Sequence, residues 1–121
     1  MDEALSTLNK ICPEMSNAPK IWYPSSSSFI CREDGTQLTG LRGQRIYVPV
    51  DDARETPRLA KALWMRSWAL GLGYIRIGLS GQKLKRSAFD DAVYQPSRLD
   101  FDAGASTGTG LIQKRCDPVV I

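Results

Sequence analysis

The stretch from Gln44 to Leu79 constrains the fold more than any other part of the chain. Gln44 to Val50 (QRIYVPV) is β-prone, and Pro49 marks a sheet edge or a strand end. Thr56 to Leu70 follows with helical periodicity. Leu59, Ala60, Leu63, Trp64, Ser67 and Leu70 share one side of the wheel, and Arg58, Lys61, Met65 and Arg66 share the other. Thr56 can cap this helix, Pro57 suits its first turn, and Gly71 or Gly73 can end it. Tyr74 to Leu79 (YIRIGL) then alternates as a strand does and stops at Ser80-Gly81. Strand, helix and strand at this spacing predict a βαβ unit with parallel strands, the helix packing its apolar side on both.

The flanks add smaller elements. Residues 2–12 predict a short helix, with Asp2 and Glu3 at its positive end, an apolar stripe of Leu5, Leu8 and Ile11 or Cys12, and Pro13 as its stop. Lys20 to Tyr23 and Phe29 to Cys31 are short strands, and Glu33-Asp34-Gly35 is a hairpin-type turn. Ser87 caps a second short helix that runs to Tyr94 and is broken by Pro96. Residues 104–110 are small and Gly/Thr-rich, which predicts loop. The expected whole is one α+β domain over 1–121, with a small mixed sheet and two or three helices. With 42% hydrophobic and 24% charged residues, the chain can form a core without metals or disulfides.

Composition narrows the chemistry. The chain has no histidine, which excludes Ser-His-Asp and Cys-His catalysis and imidazole metal ligands. Cys12, Cys31 and Cys116 are odd in number and far apart, so neither a CxxC zinc site nor a secreted disulfide framework fits. No run of apolar residues is long enough to cross a bilayer, and no signal pattern opens the chain. A cytoplasmic protein without membrane contact is expected. The net charge of +3 permits nucleic-acid binding without demanding it.

Five groups of residues could carry function. The run Ser25 to Ser28 offers hydroxyls and backbone N–H groups to phosphate, although serine runs are more often linkers. Arg42 and Arg45 flank Gly43 just before a strand, and arginine forks match phosphate oxygens; a basic surface hairpin is the plainer alternative. Lys83, Lys85 and Arg86 form a basic ridge if extended, suited to a nucleic-acid backbone or to the protection of an edge strand. Asp90, Asp91, Asp100 and Asp102 are the acidic candidates for metal, while Asp51 and Asp52 suit the approach to the helix at Thr56. Trp22, Trp64 and Trp68 could stack on bases, with core packing as the default for the last two.

Three stretches carry a family resemblance: PSSSSFICREDG, LRGQRIYVPVDDARETPRLAKALWMRSWALGLGYIRIGLSG and LKRSAFDDAVYQPSRLDFDAGA. Together, from about Ala4 to Gln113, they resemble the replication primases of the archaeo-eukaryotic superfamily carried by plasmids, phages and integrative elements. Arg86-Ser87, Asp90, Pro96, Arg98-Leu99 and Asp100-Phe101 are the most specific part. The resemblance implies an RRM-like core, of which this chain is a fragment. It implies nucleotide binding by Ser25, Ser27, Ser28 and Arg45, the last standing where the family has a histidine. It also implies metal binding by Asp90, with Asp100 as second choice.

The family's first acidic pair is expected upstream of Met1. Mg or Mn is then required only if a partner chain completes the site. The expected function is a primase-like domain of a mobile element that binds nucleotide or single-stranded DNA in replication. Its partners would be a replicative helicase or a complementary primase chain. The alternative is a stand-alone phage protein that inhibits a host complex, an anti-CRISPR factor for example. The isolated 121-residue chain, given template, nucleotides and Mg²⁺ or Mn²⁺, is expected to make no labelled oligonucleotide. Template-dependent product from the pure protein would overturn that expectation.

Overall fold

The computed structural model describes every residue except Pro96 and Phe101, so the expected helix break at Pro96 and the Phe101 of the late motif lie outside the described residues. Its architecture is α+β, with two α-helices and small, wholly antiparallel sheets among the described residues. It divides into two compact units. One comprises Met1, Ala18–Pro49 and Asp100–Ile121, and the other comprises Asp2–Asn17 and Val50–Leu99.

In the first unit, β1 (Ile21–Pro24) lies between β3 (Gln44–Tyr47) and β7 (Val119–Val120), antiparallel to both. Opposite residues in an antiparallel pair share a face. Trp22 and Ile46 therefore form one face, and Tyr23, Arg45 and Tyr47 form the other. Trp22 is buried and its indole N–H donates to Gln44 Oε1 at 2.7 Å. β2 (Ile30–Arg32) pairs with β6 (Leu111–Gln113). The Asp34-Gly35 turn forms as expected: Gly35 takes a φ of 91°, and Arg32 N–H donates to Thr36 O. β6 and β7 fall in a tail where no strand is expected from the sequence.

In the second unit, α1 (Asp2–Ile11) ends at a 3₁₀ turn over Pro13–Met15, and α2 (Thr56–Ala69) follows a 3₁₀ turn over Ala53–Glu55. Asp52 caps that turn, its carboxylate accepting from Arg54 N–H at 2.9 Å, while Thr56, expected to cap α2, is its first residue and Glu55 in the cap position makes no side-chain cap bond. The far end of α2 closes as expected at Gly71. There a φ of 74° lets Gly71 N–H reach Trp68 O and Leu72 N–H reach Ser67 O, the paired bonds of a Schellman motif. Ala60, Leu63 and Ser67 are buried, whereas Leu70, expected in the core, is 53% exposed. β4 (Tyr74–Ile77) and β5 (Lys83–Arg86) form a hairpin through Gly78–Gln82.

This pairing corrects the βαβ expectation. β3 pairs with β1, β4 pairs with β5, and both pairings are antiparallel. A glycine-bearing turn after β4 returns the chain at once, and the partner of β4 is therefore the next strand rather than the one before the helix. The core is corrected with it: Leu63 clusters with Ile11 and Cys12 at the end of α1, with Met15, Leu59, Leu72, Phe89 and Tyr94 around them. The second short helix is a 3₁₀ turn over Asp91–Tyr94, capped by Asp90. Ser87, expected as its cap, instead shares a hydrogen bond with the Ser67 hydroxyl.

Arg66 on α2 meets Glu14 with two bonds of 3.1 and 3.2 Å, and this guanidinium holds the Glu14 carboxyl down at about 2. The pair is well exposed, so Leu63 carries more of the packing than the ions do. Leu63→Ala is expected to cost about 2–5 kcal/mol of unfolding free energy, measured by urea denaturation followed by circular dichroism. An unchanged midpoint would remove Leu63 from the core.

Candidate functional site

In the first unit the structure brings together Ser25, Ser27, Ser28, the 40–43 loop, Arg45 and Asp100. The serine run is an ordered turn. Ser28 is fully buried; its Oγ accepts Arg42 N–H at 3.0 Å and donates to Gly43 O at 3.4 Å. Ser25 Oγ accepts Gly43 N–H at 3.1 Å, and Ser25 N–H donates back to Gly43 O at 2.8 Å. Gly43 has no room for a side chain, because a Cβ there would stand 2.9 Å from Ser25 Oγ. From the other side, the Gln113 amide donates to Ser26 O and Ser28 O, both at 2.9 Å, while its oxygen accepts Ala105 N–H. Only Ser27 in the run is exposed.

Arg45 and Tyr47 lie two apart on one face of β3 and converge on Asp100. Arg45 Nε stands 2.9 Å from Asp100 Oδ1, and the Tyr47 hydroxyl donates to Oδ2. Burial, and then the hydrogen bond to the Asp100 carboxylate, push the Tyr47 phenol up to about 12. Beside them the Arg115 guanidinium sits 4.1 Å from the Tyr23 ring centroid and donates to Asp102 O and Pro24 O. Gln113, Arg115 and Tyr47 are absent from the residues picked out in the sequence. Arg115 stands beside Lys114 in a stretch with no periodicity to give it a face.

The second unit carries Lys83, Lys85 and Arg86 on β5, opposite Ile77, Ile75 and Tyr74 of β4. Asp90 is near the end of the same segment, and its carboxylate accepts Ala92 N–H at 3.0 Å. The resemblance assigns metal binding to Asp90 and Asp100. Asp90 caps a turn, and both oxygens of Asp100 are taken by Arg45 and Tyr47. Among the described residues no three acidic or cysteine side chains converge as metal ligands would.

Among the described residues no helix is long and apolar enough to cross a membrane. Comparison of the chain with protein-family models, with curated proteins and with solved structures gives no match in any of the three.

Ser28→Ala is expected to remove the acceptor of the Arg42 N–H and to lower stability by about 0.5–1.5 kcal/mol. Thermal unfolding would measure it, and a melting curve identical to the parent would show that the joint between the turn and the 40–43 loop carries no weight.

Proposed function

We propose that this chain is a nucleic-acid-binding domain of the replication-primase type, which grips a phosphate backbone with its β4–β5 hairpin. The observation that carries the reading is the composition of that hairpin. Residues 74–86 hold Arg76, Lys83, Lys85 and Arg86 and not one acid, and β4 is exposed along its whole length. Lys83 and Lys85 project from one face about 6.7 Å apart. Arg76 and Arg86 project from the other. A two-stranded ribbon alone in water is marginal, so a charged partner laid along it stabilises both.

The resemblance to primases adds the replication setting and assigns nucleotide contact to Ser25, Ser27, Ser28 and Arg45. In that assignment an incoming phosphate competes with Asp100 for Arg45. Charge exchange of this kind leaves binding weak and electrostatic.

One observation favours a second reading. Ile75, Ile77 and Leu79 are 48%, 60% and 111% exposed on the same hairpin, as they would be on a surface that docks a host protein.

Titration of a fluorescent single strand separates the two readings. Binding is expected at low salt and should fade steeply as salt rises. Lys83→Ala/Lys85→Ala should weaken it and flatten the log–log salt slope by about 1.4, or roughly 0.7 per lost phosphate contact. Absence of binding at low salt would remove the nucleic-acid reading and leave the protein partner.

A further inference from the structure

The basic hairpin does not end at Arg86; it runs into an aromatic groove of the same unit. Arg86 is the last residue of β5 and also lines a cavity of about 410 Å³ together with Trp64, Phe89, Asp91 and Arg98. Trp64 and Asp91 line a second cavity as well, of about 310 Å³, whose other walls include Lys61 and Tyr94. Both volumes fall in the range of small-ligand sites, roughly 300–1,000 Å³.

Trp64 is therefore the shared wall of two adjoining spaces, and it is only half-buried. Its ring packs among aromatic neighbours. Phe89 meets it edge-on at 6.1 Å between centroids, Trp68 lies at 6.3 Å, and Tyr94 meets Phe89 edge-on at 6.1 Å. An indole braced in this way loses little freedom when a flat ring is laid against it. Lys61, Arg86 and Arg98 stand around the groove and outnumber Asp90 and Asp91, of which Asp90 is occupied by its cap. A π-face with cations at its rim matches one ligand chemistry: an aromatic base joined to a phosphate.

We infer that the Trp64 groove takes an unpaired nucleobase from a strand whose phosphates lie along the β4–β5 hairpin, so that the chain prefers single-stranded nucleic acid to duplex. This rests on the phosphate-binding reading of the hairpin and deepens it. The hairpin supplies charge without regard to form, and the groove supplies discrimination, because a paired base has no free face to offer Trp64. Arg86 is the junction: it shares a hairpin face with Arg76, opposite Lys83 and Lys85, and is also a wall of the groove, so the strand enters along the Arg76–Arg86 face.

The test uses the full chain unaltered against three fluorescent probes at low salt. These are a mixed-sequence single strand, a strand of the same length with abasic residues in place of bases, and the blunt duplex of the first sequence. The base-bearing strand is expected to bind at least about fivefold tighter than the abasic strand, the smallest effect that stacking of one base would give. The duplex should also bind more weakly than the single strand. Trp64→Leu keeps an apolar side chain but removes the π-face; it should erase the difference between the first two probes while its melting curve confirms a folded chain. Equal binding of all three probes by the parent would overturn the groove and leave the hairpin reading standing. Binding of none would overturn both. A difference between base-bearing and abasic strands that survives in folded Trp64→Leu would also overturn the assignment to Trp64.

Discussion

The whole structure depends on the scarcity of buried apolar surface. Among the described residues only Ile11, Cys12, Trp22, Cys31, Ala60 and Leu63 form the fully withdrawn hydrophobic set. Spread over two compact units, so few side chains cannot hold long loops in place by area alone. Directed polar bonds take over. Ser28 fixes one loop to another, Asp52 and Asp90 close turns, and Arg66 ties the turn after α1 to the flank of α2. Such bonds contribute modestly when made and cost more when one partner is left alone in the interior. The fold is accordingly sensitive at polar positions that a search for large hydrophobic residues would pass over.

Local structure was legible in the sequence and long-range pairing was not. The periodicity of α2 and the glycine after it depend on neighbours within a few residues, and Gly71 stands in the left-handed conformation that the pattern implies. The short strands near Lys20, Ile30, Gln44 and Tyr74 begin close to where β-prone residues gather. The partner of β4 was misread because spacing alone does not distinguish a crossover from a hairpin. Ser80-Gly81-Gln82 is the turn that decides it, and Gly81 takes a φ of 80°. β7 could not be read at all: two valines near the chain end are a strand only because β1 has a free edge for them.

The same division runs through the candidate site. Arg45 and Asp100 each stand out in the sequence, one as an anion binder and one as a metal ligand. Their meeting is a tertiary fact, and it changes both roles, since each now occupies the other's charge. The serine turn looked like a linker by composition. It is ordered because a glutamine 85 residues further along the chain reaches Ser28, a distance at which one sequence carries no signal. The lysine ridge was legible because strand alternation alone places Lys83 and Lys85 on one face.

Gln113 makes the serine turn vulnerable to chemical ageing rather than to acid or base. Its primary amide is uncharged across the ordinary pH range and presents two N–H bonds to two backbone carbonyls. Loss of ammonia would leave a carboxylate in the same place, an acceptor facing two acceptors, and no rotation of the side chain can restore a donor. One slow covalent event at a single position would turn the clamp on this turn into a wedge.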